Sequence, residues 1–256
     1  MPRTIRLESE TGIYHVVLRG NNKQTIFEDE QDNEMFLVTL EQYKKQSGYK
    51  LFAYCLMGNH IHLLMKTEKE NLGQIFQRIG ASYVYWYNRK YDRTGHLFQA
   101  RFKSEVVETD NYLFAVLRYI HQNPLKAGMI MKLEDYIWSS YCEYLGLSDD
   151  HYVDKDFVLM MFNEDRNKAI ADFKTFNEIP TDKKYLDISE KKLISDEKVI
   201  QMIKKKYSVF SSKDVQNFDL EQRNKCIQYL LNKGLSIRQI SRVTGISRYF
   251  ITDQKV

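Results

Sequence analysis

The chain has 256 residues, 38 Lys and Arg against 34 Asp and Glu, and three cysteines. At 43% hydrophobic and 28% charged it has the composition of an ordinary globular protein of one or two domains, which excludes wholesale disorder, collagen-like structure and a coiled coil. No run of about 18 apolar residues offers a membrane span, MPRTIRLESE lacks the apolar stretch of a secretory signal, and Cys55, Cys142 and Cys226, odd in number and without CxxC spacing, point away from disulfides and toward a reducing cytoplasm.

Gly12 to Arg19 is rich in β-formers and ends at Gly20-Asn21-Asn22, so it predicts a strand. Gln31 to Lys45 predicts a helix, with Phe36, Leu40 and Tyr43 at i, i+4 and i+7. Leu51 to Met57 and His60 to Met65 flank Gly58-Asn59 and predict a hairpin. Asn71 to Tyr91 predicts a helix with Ile75, Ile79, Tyr83 and Trp86 on one face. Phe98 to Val107 predicts a strand. Thr109 or Asp110 caps a further helix, which Pro124 is expected to stop. The order β-α-β-β-α-β followed by a helix is the ferredoxin-like plan of the α+β class. It is an antiparallel four-stranded sheet with helices on one face and the other face open to a ligand.

His60 and His62 share one side of their strand, with Ile61 between them on the other. The pair alone leaves two readings open: polar residues on a solvated face, or half of a metal site for Mg²⁺, Mn²⁺ or Zn²⁺. On the helix before Pro124, Leu113, Val116, Leu117 and Ile120 form the core stripe. At about 100° per residue Tyr119 and Asn123 fall about 40° apart on one flank, and His121 on the opposite flank. A tyrosine hydroxyl and an amide on one face suit a nucleophile beside a ligand. They equally suit an amphipathic helix with a half-buried Tyr. Tyr112, on the same flank, is the rival nucleophile.

Taken together these segments resemble a known family. CLMGNHIHLLM (Cys55–Met65) resembles the HUH motif, and RYIHQNPLKAG (Arg118–Gly128) is similar to the tyrosine segment of single-tyrosine HUH transposases, above all the REP-associated tyrosine transposases. YHVVLRGNN (Tyr14–Asn22), GHLFQARFKS (Gly95–Ser104) and YIWSSY (Tyr136–Tyr141) also resemble recurring blocks of that family. The resemblance covers about residues 1–146. It implies an HUH nuclease domain that cuts and rejoins single-stranded or hairpin DNA through a 5′-phosphotyrosine. Tyr119 would be the nucleophile, and His60, His62 and Asn123 the ligands of Mg²⁺ or Mn²⁺. It leaves both a monomer and a homodimer open. Two other readings stand beside it: a retired transposase kept as a sequence-specific DNA-binding regulator, and a zinc phosphohydrolase with water as nucleophile.

Charge is unevenly spread. Residues 198–256 carry 12 Lys and Arg against 4 Asp and Glu, residues 1–197 carry 26 against 30, and residues 148–197 are acid-rich. The sequence therefore predicts a domain over 1–146, an acidic helical connector over 147–197 and a basic module over 198–256. Arg78 to Lys103 holds six basic and seven aromatic residues, the mixture that binds single strands. Arg78, Tyr85 and Arg89 share a helix stripe, and Arg101 and Lys103 alternate on the predicted strand. Leu235 to Ile251 resembles a DNA-binding helix-turn-helix. Ser236 caps its first helix and Gly245 makes the turn. Arg248 and Tyr249 are aimed at base edges, and Arg238 and Arg242 at phosphate.

Overall fold

The computed structural model describes residues 7–181, 195–233, 235 and 237–253. The chain divides into two compact units, Met1–Ile188 and Ser189–Val256.

The first unit runs β1 (Ile13–Arg19), α1 (Glu30–Ser47), β2 (Lys50–Met57), β3 (His60–Lys66), α2 (Leu72–Lys90), β4 (Lys103–Val106) and α3 (Asp110–Lys126). Its sheet has the order β2-β3-β1-β4 with every neighbour antiparallel, the ferredoxin-like plan the sequence predicts. Local chemistry sets the ends. The side chains of Asp29 and Asn71 cap α1 and α2 in reciprocal boxes with Asp32 and Gln74. Thr109 Oγ1 accepts from Tyr112 N to open α3. Leu18 and the α2 residues Phe76 and Gly80 line a common cleft, which puts α2 on the Leu18 side of the sheet. Phe36 of α1 packs edge-on against Tyr83 of α2, so both helices cover that side over Val16, Ile61, Leu63 and Met65, all buried.

Three expectations need correction here. The opposite face is not open: α3 lies on it, with Leu113, Val116, Leu117 and Ile120 buried in the same core. Pro124 does not stop α3, which continues to Lys126. Proline removes one ladder hydrogen bond without forcing an end when only a turn follows. The last strand is Lys103–Val106 rather than Phe98–Val107. Ala100 sits at φ 58°, a left-handed backbone that no strand accommodates, so Arg101 precedes the strand instead of alternating with Lys103 on it.

Beyond α3 the chain wraps the outer edge of the sheet. Leu56 N donates to Trp138 O and Ser140 N to Tyr54 O, so the segment around Ser139 covers the β2 edge. Then come α4 (Tyr141–Leu145), α5 (Lys155–Phe162) and α6 (Arg166–Glu178). Val158, Leu159, Ala169 and Phe173 belong to the main core. Residues 147–181 are therefore part of the first unit rather than a connector; their acidic residues ride on helices whose apolar face is buried. The remainder of the predicted connector, 182–194, lies outside the described residues.

The second unit holds α7 (Asp196–Tyr207), α8 (Leu220–Asn232), α9 (Ile237–Thr244) and α10 (Arg248–Asp253) around Val199, Ile203, Ile227, Leu230, Ile240, Val243, Ile246 and Ile251. Gly245, at φ 74°, turns the chain between α9 and α10. Ser247 Oγ accepts from Phe250 N at the start of α10. The predicted cap Ser236 lies outside the described residues.

Candidate active site

Strand alternation puts His60 and His62 of β3 on the α3 side of the sheet, together with His15 of β1. The His60 and His62 rings lie 5.0 Å apart and nearly perpendicular. From α3, the Tyr119 ring meets His62 edge-on at 5.5 Å and His15 at 6.0 Å. One turn on, the Asn123 side-chain nitrogen is 3.2 Å from Nε2 of His62. All four residues that the sequence singles out thus converge. His121 is on the far flank, buried, with Nδ1 3.0 Å from Asn177 Oδ1 and Nε2 2.8 Å from Ser140 Oγ. It serves the core.

The site is dry. Tyr119 is 4% exposed, and His15 and His62 are fully buried. Burial pushes the His15 pKa down to about 3. Burial, with the neighbouring His15 and His60, holds His62 well below the ordinary range. Both rings are therefore neutral at physiological pH and present lone pairs. Asn59 Oδ1, an acceptor, lies 2.7 Å from Nδ1 of His60, so that nitrogen carries the ring proton and the lone pair is on Nε2. Lys126 Nζ stands 5.0 Å over the Tyr119 ring.

Among the described residues no three His, Cys, Asp or Glu side chains cluster as a metal site. The donor set on offer is two imidazoles and one amide. It suits a divalent cation that takes its remaining ligands from oxygen, whether phosphate or water.

Sequence reasoning missed His15, Asn59 and Lys126. His15 carried a signal: it shares the strand face of Val17 and Arg19, which pair with His62 and His60.

The proposed DNA contacts divide. Tyr85 (70% exposed), Arg89, Arg101 and Lys103 are open to solvent. Arg78 instead donates to Glu70 Oε1 at 2.8 Å and to Ser47 Oγ at 3.2 Å. In the second unit Arg248 and Tyr249 (87% exposed) stand out from α10, whereas Arg242 is held by Asp196 at 2.6 and 2.9 Å. Arg238 falls in α9; its side chain lies outside the described residues. Among those residues no helix is long and apolar enough to cross a membrane.

Residues 9–123 match the family described as transposase IS200 like. A protein from Haemophilus influenzae described as a REP-associated tyrosine transposase is 25% identical over 142 residues, 51% of this chain and 80% of that relative. A solved REP-associated tyrosine transposase bound to a REP hairpin is similar at TM-score 0.49 and 14% identity, over 59% of this chain and 90% of its own. A crystal structure described as a transposase from Deinococcus radiodurans is similar at TM-score 0.34 and 16% identity, over 47% of this chain and 97% of its own.

Proposed function

We propose that the chain is a metal-dependent transposase that cleaves and rejoins single-stranded or hairpin DNA, with Tyr119 as nucleophile and His60, His62 and Asn123 as ligands of Mg²⁺ or Mn²⁺. The observation that carries this reading is the convergence of Tyr119 and Asn123 on His62. A tyrosine, an amide and two imidazoles share one corner of the sheet. His60 and His62 would offer Nε2, and Asn123, whose amide nitrogen faces His62 Nε2 in the structure, would offer its oxygen on turning the amide over. The bound cation would polarise the scissile phosphate and offset charge growing on its oxygens.

Tyr119 Oη then attacks phosphorus. Its proton passes to solvent, the O3′–P bond breaks, and the released strand ends in a 3′-hydroxyl while the other is linked through a 5′-phosphotyrosine. Attack by a 3′-hydroxyl reverses these steps and rejoins strands without ATP. The α3 helix holds the phenol edge-on to His62, so the nucleophile reaches the phosphate without a search through rotamers. Lys126 holds the Tyr119 ring from above through a cation–π contact.

Tyr85, Arg89, Arg101 and Lys103 offer stacking and phosphate contacts to the single strand. The basic second unit is read as a helix-turn-helix with Arg248 and Tyr249 at its recognition end.

The test is incubation of the full chain with Mn²⁺ and a hairpin-bearing single-stranded oligonucleotide, followed by denaturing electrophoresis. A covalent protein–DNA adduct that disappears in Tyr119→Phe is expected. An adduct that survives in Tyr119→Phe overturns the nucleophile. Cleavage without any adduct favours the phosphohydrolase, and binding without cleavage favours the retired regulator.

A further inference from the structure

His15 is the residue that most directly constrains His62. Its Nε2 lies 3.0 Å from His62 Nδ1, and the two rings stack at 5.3 Å and 25°. Between two neutral imidazoles at that distance, one nitrogen carries the proton and the other accepts it. Asn123 fixes which. Its amide nitrogen faces His62 Nε2, and an amide N–H only donates, so Nε2 accepts. The single proton of His62 therefore sits on Nδ1 and is donated to His15 Nε2, and the proton of His15 sits on its own Nδ1.

That last N–H is buried without a hydrogen-bond partner among the described residues, an arrangement folded proteins rarely leave in place. The residue directly opposite His15 on β4 is Glu105. Its side chain points to the same face, and its Oε2 is likewise buried and unpartnered. Opposed residues on antiparallel strands have Cβ atoms about 4.5–5.5 Å apart, within a glutamate's span. A side-chain rotation of Glu105 would join the two orphans and complete a carboxylate–imidazole–imidazole chain across three adjacent strands, β4, β1 and β3.

We propose that His15, backed by Glu105, is a positioning residue that holds His62 as the Nδ1–H tautomer, with the Nε2 lone pair turned to the place where Asn123 and a metal meet it. Its purpose rests on the metal reading above, but the tautomer does not. His60 is fixed in the same tautomer by a different residue, Asn59. Histidine ligands generally donate their second ring nitrogen to such a partner, and loss of the partner weakens metal binding by about 10–100-fold.

The test uses the full-length, ¹⁵N-labelled protein without metal. Long-range ¹H–¹⁵N correlation reads which ring nitrogen of His62 is protonated, with the signal assigned by its loss in His62→Ala. The wild type is expected to show Nδ1–H. His15→Phe is expected to lose that preference and His15→Gln, which keeps an acceptor near the Nε2 position, to retain it. Mn²⁺ titration followed by electron paramagnetic resonance then reads affinity: about tenfold weaker in His15→Phe, near wild type in His15→Gln, and weakened to a lesser degree in Glu105→Leu. A wild-type proton on Nε2, or a His62 spectrum and Mn²⁺ affinity indifferent to both His15 variants, overturns the inference. If the spectra behave as expected but no variant binds Mn²⁺, the positioning stands and the metal reading fails. Should His15→Phe not fold, the His15→Gln and Glu105→Leu comparison still decides.

Discussion

The side chain of Asn123 lies 3.2 Å from His62 Nε2, although 61 residues separate the two in the chain. The contact exists because α3 crosses the face of the sheet to which β3 turns His62. If Asn123 is a metal ligand, Asn123→Ala removes one donor of three and leaves the His62 lone pair without its neighbour. Mn²⁺ affinity should fall by about tenfold or more, with the melting temperature little changed because Asn123 is only half-buried. Unchanged Mn²⁺ affinity would remove Asn123 from the ligand set.

His121 gives a stability prediction apart from the site. Burial pushes its pKa down from 6.5 to about 4, while the hydrogen bond to Asn177 opposes that shift. Below pH 6.5 the unfolded chain takes up a proton at this position that the folded chain refuses until about 4. The stability gained by burying a neutral ring is therefore complete above pH 6.5 and falls as pH drops toward 4, by up to ~3 kcal/mol over that window. Urea denaturation at a series of pH values should show this slope in the wild type, flattened by up to one proton in His121→Gln. An identical slope in both proteins would contradict it.

Arg242 and Arg248 sit in the same basic unit but in different circumstances. Arg242 is engaged by Asp196, while Arg248 is exposed at the start of α10. For binding of duplex DNA by the full chain, Arg248→Ala should weaken affinity more than Arg242→Ala. It should also lower the salt slope by about one, as loss of one phosphate contact does. Equal effects of the two substitutions would sink the orientation assigned to α10.

Gly245 is the hinge of that unit. Its φ is 74°, and a Cβ there would run into the side chain of Gln216, whose Nε2 donates to Thr244 O at 2.8 Å. Gly245→Ala should cost about 1–3 kcal/mol. Trp86 and Trp138 both belong to the first unit. Far-UV circular dichroism should therefore show an early loss of helix while tryptophan fluorescence keeps its wild-type transition. A shift in the fluorescence transition alone would be the contrary result.

Much of the site was legible because it rests on short-range periodicity. Alternation puts His60 and His62 together, and 100° per residue puts Tyr119 beside Asn123. The fold followed from the same periods and from the turn residues between them. What was not legible depends on partners distant in sequence. His15 gains meaning only from the β1–β3 register, which sets it 47 residues from His62 in sequence yet 3.0 Å away in space. Arg78 looks like a phosphate ligand until Glu70, two turns of chain earlier, is seen to hold it. The acidic tract over 147–181 looks like a spacer because its charge is conspicuous and its few apolar residues are not. Phe173 nonetheless stacks on Tyr144 at 4.3 Å in the main core. Ala100 gives no sequence sign of its left-handed backbone, so the β-rich run Phe98–Val107 predicts a longer strand than Lys103–Val106.

β3 is an inner strand, with His62 opposite Val17 on one side and Cys55 on the other. A strand shifted by one residue would turn both imidazoles toward α1 and α2, where Ile75, Ile79 and Phe36 close the core, and would send Ile61 and Leu63 to the α3 face. That layer is built mainly of apolar side chains, so such a misregistered sheet would carry a desolvation cost at two positions at once. The histidine pair is therefore also a fidelity device for folding: the arrangement that lets the sheet close is the one that delivers both rings to Tyr119.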